Sequence, residues 1–238
     1  MSILAIDTAT QVSSVAVASE EKLAAELTMQ ARLTHSETLM PHIEQVLQMA
    51  GVKKAELDGI AVSIGPGSFT GLRIGLAAAK AMAYVLNKPL VGVSTLAALA
   101  AHFPVPGVKI VSLLDAQKGN AYREVFRWEQ GRLIREQSVD IASLADIVAD
   151  CSEMAGAVIL TGDIVAKKIR GRMVLPANVQ VAPAQQIMPR AANVAMIGLQ
   201  RLAAGEQDNV MDLEPWYIRR SEAEVLWEKR HPEAKRCN

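Results

Sequence analysis

Eleven residues constrain this chain more than any others: Gly65-Pro66-Gly67-Ser68-Phe69-Thr70-Gly71-Leu72-Arg73-Ile74-Gly75. They join an apolar run, Ile60 to Ile64, to a helix poor in large or charged side chains. Gly65 and Gly67 permit a sharp turn, and Ser68 is a good N-cap for that helix. Gly71, Gly75, Ala79 and Ala83 then recur every fourth residue as one smooth stripe. Leu72, Ile74, Leu76, Met82, Val85 and Leu86 cover much of the remaining circumference. A helix that is apolar nearly all round is buried nearly all round. One domain face covers one side of it, so a second surface is expected for the other.

Composition narrows the class. Lys plus Arg number 25 and Asp plus Glu number 25, so no net field draws the chain to nucleic acid or an anionic membrane. Aromatic residues make up 4% of the chain, too few for a platform that stacks bases. Cys151 and Cys237 are the only cysteines, which excludes a disulfide scaffold and a cysteine zinc cluster and fits a reducing compartment. Met1-Ser2-Ile3-Leu4 starts directly on a strand with no basic leader, so no signal peptide is expected. The apolar run from Leu76 to Leu86 is broken by Lys80 and is too short to span a bilayer. The expectation is a soluble cytoplasmic protein with no membrane contact.

At 238 residues the chain suits one large domain or two small lobes. Ile3 to Ile6 reads as a strand ending at Asp7, with Ser13 to Ala18 and Lys22 to Leu27 as two more. A helix is predicted from Thr34 to Ala50, with Pro41 inside it and Gly51 closing it. The strand Ile60 to Ile64, the small-residue helix, a strand Leu90 to Val93 and a helix Thr95 to Ala101 complete a first lobe, 1–104. Phe103-Pro104-Val105-Pro106-Gly107 reads as a junction. Strands Lys109 to Leu114, Ala121 to Trp128 and Arg132 to Ser138 come next, then a helix Ser143 to Cys151 and a strand Val158 to Leu160. Helices near Asp163 and from Pro189 to Ala204 close a reduced second lobe, 105–214, before an anchor and charged tail, 215–238. Asp7 and Asp115 hold equivalent places in two copies of one order. That order is the α/β, two-lobed architecture of the actin, sugar-kinase and heat-shock-chaperone ATPase (ASKHA) superfamily.

Four blocks together resemble the TsaB family, formerly called YeaZ: Ile3-Leu4-Ala5-Ile6-Asp7-Thr8-Ala9-Thr10, Gly65 to Gly75, Pro89-Leu90-Val91-Gly92-Val93-Ser94-Thr95-Leu96 and Pro215-Trp216-Tyr217-Ile218-Arg219. The resemblance implies a noncatalytic subunit of the bacterial machinery that makes N6-threonylcarbamoyladenosine (t6A) on tRNA. It implies pairing with the paralogous catalytic subunit TsaD, joined by the ATPase TsaE, with TsaC supplying threonylcarbamoyl-AMP. It also implies that two helices form a bundle with TsaD, that the isolated subunit pairs with itself there, and that tRNA is reached only through the complex. TsaD-like enzymes carry two metal histidines, His-x-x-x-His, after a Gly-Val that ends a strand. Here Thr95 and Leu99 come after Gly92-Val93 at those places, and leucine coordinates nothing. No metal site, no cofactor and no catalytic residue are expected.

The remaining histidines give no alternative centre. His35 and His42 lie seven apart on one helix, about 10 Å along its axis, and solvated helix-surface histidines are the commoner case. His102 ends a helix, where a cation suits the dipole. His231 lies in the tail.

Asp7, Thr8 and Thr10 are candidate nucleotide contacts, because the first turn of the actin-like fold binds phosphate. Thr8 and Ala9 stand where glycine would let backbone N–H groups approach, which favours a plainer reading as strand-end and turn partners. The Gly65 loop lacks the Gly-Lys-Ser/Thr ending of a Walker A loop. The small-residue helix is the better candidate site. Gly71, Leu72, Gly75, Leu76, Ala79 and Ala83 are assigned to a helix-on-helix partner interface with Met40 and His42 of the preceding helix; the rival is that the stripe packs inside its own lobe. Trp227 is the candidate anchor of a tail that orders on a partner. An ATP-dependent small-molecule kinase and a peptidase are the alternatives to a scaffold.

Overall fold

The computed structural model describes residues 1–30 and 35–218. Its first sheet contains β1 (Ser2–Asp7), β2 (Ser13–Ser19), β3 (Leu23–Met29), β4 (Gly59–Gly65) and β5 (Leu90–Ser94) in the order β3-β2-β1-β4-β5. The second contains β6 (Val108–Asp115), β7 (Asn120–Glu129), β8 (Arg132–Ser143), β9 (Ala157–Thr161) and β10 (Val179–Val181) in the order β10-β9-β6-β7-β8. Taken from the other edge, the two orders are the same. In each, the first three strands form an antiparallel meander, and the first strand pairs in parallel with the fourth. The paired lobes of an actin-like α/β fold are therefore present.

Helices cover both faces of the first sheet. α1 (His35–Ala50) and α2 (Phe69–Leu86) bury Leu39, Ile43, Val46, Leu76 and Ala79 against Leu4, Ile6, Val15 and Val62. The opposite face carries Ile3, Ala5, Ala61 and Val91, and α5 (Ala191–Ala203) covers it through Ala191, Val194, Ala195 and Leu199. Gly198 admits this close approach: a Cβ there would lie 2.6 Å from that of Ala61. The expected second-lobe span of 105–214 is corrected by this packing, because α5 belongs in space to the first lobe. The second sheet is covered by α4 (Leu144–Glu153) on one face. α3 (Thr95–Ala100) lies on its other face, with Leu96, Leu99 and Ala100 against Ile110, Leu114, Phe126 and Trp128. α3 thus joins the two lobes.

Local chemistry sets the helix ends. Ser68, Ser94 and Ser143 cap α2, α3 and α4, each side chain accepting a backbone N–H three residues on. α2 stops at Asn87, which adopts the left-handed conformation at φ 51°. The helix expected near Asp163 is present but short: Asp163 and Ile164 are helical, Val165–Ile169 continue as one wide π-helical turn, and Gly171 at φ 67° follows it. The three-residue strand β10 is too short to register as an apolar pattern.

Candidate functional site

The turn between β1 and β2 lies against the N-terminal half of α2, and the glycines of α2 make the contact possible. Thr8 donates its hydroxyl to the Gly71 carbonyl at 2.7 Å. A Cβ on Gly71 would stand 2.1 Å from the Thr8 carbonyl oxygen, and one on Gly75 would stand 2.2 Å from Thr8 Oγ1. The Ala9 carbonyl accepts the Ser68 N–H at 2.7 Å, so the helix start already has an internal acceptor. Asp7 is fully buried, accepting from the Ser63 hydroxyl and from the Ala9 N–H. Burial pushes its carboxyl up to about 6, against the lowering effect of those hydrogen bonds and of His35. Of the expected nucleotide contacts, Asp7 and Thr8 are thus buried with their side chains hydrogen-bonded inside the first lobe. Thr10 lines the cleft between the lobes, while its Oγ1 accepts the Val12 N–H.

The same geometry divides α2 into faces. Gly71, Leu72, Gly75, Leu76, Ala79 and Ala83 are all buried in the chain's own first lobe. As a bare contact stripe they are corrected, since their own sheet and the Thr8 turn fill the space that a partner helix was expected to fill. His42 is likewise buried, with Nδ1 3.4 Å from Ser13 Oγ and its pKa lowered by burial. Met40 is exposed. The outward face of α2 holds Thr70, Arg73, Ala77, Ala81, Tyr84 and Val85, none of which the sequence pattern assigned to the partner interface. Tyr84 is 68% and Val85 78% exposed, large values for apolar bodies on one helix. A second run of small residues, Ala77 and Ala81, was the available signal. The helix is apolar enough by composition to cross a membrane, but its inner face is occupied by its own sheet. Trp227 lies outside the described residues.

Between the lobes is a cleft of about 750 Å³. Thr10, His35, Pro66 and Phe69 line it from the first lobe, and Asp115, Gln117, Tyr122, Asp163 and Lys167 from the second. Its second-lobe wall is ionic, with Lys167 on Asp163 at 2.7 Å and Lys168 on Asp115 at 3.4 Å. Trp216, Tyr217 and Ile218, in the segment read as an anchor, line one side of the cleft. The Trp216 N–H donates to the Ile64 carbonyl, and the Tyr217 ring stacks on Phe69 with centroids 4.7 Å apart. His35 turns toward the β1–β2 turn, with Nε2 2.8 Å from the Thr10 carbonyl.

α3 carries Thr95 and Leu99, the positions compared with a metal-binding histidine pair. Both are fully buried, and Leu99 packs into the core shared with the second sheet. Among the described residues no three His, Cys, Asp or Glu side chains come together as metal ligands. His102 differs from expectation: burial lowers its pKa, and the neutral ring bonds the Leu99 carbonyl through Nδ1 at 3.1 Å. Cys151 is a buried free thiol pushed up to about 11 by burial, which makes it inert.

Similarity to known proteins runs the length of the chain. The family model described as TsaD, tRNA N6-adenosine threonylcarbamoyltransferase, matches residues 27–227. The tRNA threonylcarbamoyladenosine biosynthesis protein TsaB of Bacillus subtilis is 32% identical over 95% of this chain and 98% of its own length. The TsaB protein of Escherichia coli is 27% identical over 96% of this chain and 98% of its own. The solved structure of YeaZ from Pseudomonas aeruginosa superposes with a TM-score of 0.75 and 25% identity, covering 91% of this chain and 99% of that one. With the actin-like fold, the glycine-bearing α2 and near-complete coverage in agreement, this chain belongs to the TsaB (YeaZ) family of tRNA threonylcarbamoyladenosine biosynthesis proteins.

Proposed function

We propose that this chain is a noncatalytic scaffold that docks and activates a TsaD-like catalytic subunit for threonylcarbamoyl transfer to N6 of adenosine in tRNA. The observation that carries the reading is the outward face of α2, where Ala77, Ala81, Tyr84 and Val85 lie open on a helix whose other side is complete. Small residues let a second helix approach closely, and the flanking Tyr84 and Val85 supply apolar area. Exposed Met40 on α1 extends the surface. A TsaE-like ATPase joins the pair, tRNA reaches the chain through the complex, and without its partner the chain pairs with itself through the same face, in the cytoplasm.

Lack of catalytic chemistry belongs to the same reading. Thr95 and Leu99 offer no imidazole, and the first turn of the fold is spent on α2. The test is reconstitution with the purified TsaD-like subunit, the TsaE-like ATPase, ATP, threonylcarbamoyl-AMP and unmodified tRNA. This chain alone should form no modified adenosine, and omitting it should abolish product. Product formed by the chain by itself, or undiminished without it, contradicts the reading.

A further inference from the structure

The outer ridge of α2 changes character along its length. Arg73, Ala77, Ala81 and Val85 follow one another every four residues and are all exposed, with Tyr84 beside the last. One end of the ridge is therefore cationic and the middle bears two methyl groups. The far end is apolar and lies about 18 Å away along the axis.

Arg73 is held in place by its own chain. Its Nε donates to the Tyr217 hydroxyl at 2.8 Å, and its guanidinium lies 3.8 Å from the centroid of the Phe69 ring on which Tyr217 stacks. Tyr217 is fixed in turn by the segment that leads to it. Lys80 donates to the Met211 and Leu213 carbonyls at 2.9 and 3.1 Å, and the Trp216 N–H donates to the Ile64 carbonyl. Gly65 leaves room for this segment, since a Cβ there would stand 2.9 Å from the Trp216 carbonyl oxygen. These contacts use Nε and one face of the guanidinium, and leave Nη1 and Nη2 without a partner among the described residues. Arg123, Arg127, Arg135, Arg190 and Arg201 pair with carboxylates; among the described residues Arg73 pairs with none. Two parallel N–H groups match the two oxygens of a carboxylate, and a guanidinium already ordered loses little further entropy on binding one.

We propose that Arg73 is the polar anchor of the docking face. It takes a carboxylate of the TsaD-like subunit through both terminal amino groups, while Tyr84 and Val85 receive a large apolar side chain from the same partner helix. The inference rests on the docking reading above and adds the chemistry of the partner surface. A helix aligned with α2 must carry its Asp or Glu about three turns from that apolar residue, with small side chains between them against Ala77 and Ala81.

The test is isothermal titration of the full chain against the TsaD-like subunit without nucleotide, with thermal unfolding of each variant to show an intact fold. Arg73→Gln should lower affinity about thirtyfold, and Arg73→Lys about tenfold, because lysine keeps the charge and loses the two-pronged geometry. One Asp→Asn or Glu→Gln replacement on the partner should reproduce the Arg73→Gln loss and add nothing to it when the two are combined. The parent's affinity in Arg73→Gln, or in Arg73→Lys, overturns the proposal with docking intact. So does a loss that no partner carboxylate reproduces, or one seen only when ATP is added, since the guanidinium then serves a phosphate. A loss confined to self-association of this chain, read by sedimentation, assigns the anchor to a second copy and also overturns it. Absence of binding by the parent chain removes the docking reading and the anchor with it.

Discussion

In the first lobe the turn after β1 packs down onto α2, with Asp7 buried beneath Ser63 and Thr8 pressed onto Gly71 and Gly75, and only its far end, from Ala9 to Gln11, reaches the cleft. Its counterpart after β6 opens on the cleft, where half-buried Asp115 meets Lys168 and the Gln117 N–H. Both turns come after the first strand of the same strand order, and both begin from an aspartate. What differs is the element behind them. The first turn faces an 18-residue helix with glycines at the contact; the second faces a five-residue wide turn bearing Lys167 and Lys168. One topology thus yields a tightly packed turn and an ionic one. The packed turn explains the glycines of α2 and leaves the opposite side of that helix exposed.

The largest expected effect comes from filling the packed side. Gly75→Val sets methyl groups where Thr8 Oγ1 already stands, and should destabilise the chain by about 3 kcal/mol or more, or prevent folding. Urea unfolding measures it. A Gly75→Val chain that unfolds at the parent's midpoint would show that the turn and helix do not depend on each other.

Asp7 sharpens the contrast through pH. The folded protein holds its proton up to about pH 6, whereas the ordinary carboxyl value is 3.8. Between those values the unfolded chain releases its proton first, so rising pH disfavours the fold, by about 3 kcal/mol in all. The stabilising contribution is complete below the unfolded value and gone above about pH 6. Asp7→Asn should flatten this slope and match or exceed the parent in stability at pH 8, by about 1 kcal/mol. Unfolding curves of the two chains from pH 4 to 8 give the difference directly, and parallel curves would place Asp7 in a solvated site.

The smallest effect belongs to the second turn. Lys168→Ala removes a partly exposed ion pair at 3.4 Å and should change stability by about 0.5 kcal/mol or less, diminishing further with salt. A loss as large as that of Gly75→Val would erase the distinction between the two turns.

Much of this architecture was legible in the sequence, and the reasons are local. Strand runs ending at Asp7 and Asp115, the Ser68 cap and the apolar faces of α1 and α2 are set by neighbours in sequence. The placement of α5 was not, because a helix read from periodicity carries no record of which sheet it covers. The orientation of α2 failed for a related reason. Spacing by four announces a small-residue stripe, but Gly71-Gly75-Ala79-Ala83 and the pair Ala77-Ala81 both qualify. Glycine rather than alanine was the missed discriminator: a Cβ at Gly71 or Gly75 would stand 2.1 to 2.2 Å from Thr8 oxygens, so none is tolerated, while alanine suffices for an ordinary helix crossing. The cost of about 1 kcal/mol for each glycine in a helix is offset by the turn it admits.

The most direct measurement compares the two sides of α2 in one binding experiment. Ala81→Arg places a charge on the outward face, where the chain itself leaves room, and should shift thermal stability by no more than about 0.5 kcal/mol. Isothermal titration against the TsaD-like subunit should then show affinity reduced by about a hundredfold or lost. An Ala81→Arg chain that folds normally and binds with the parent's affinity would contradict the assignment of the outer face of α2 as the docking surface.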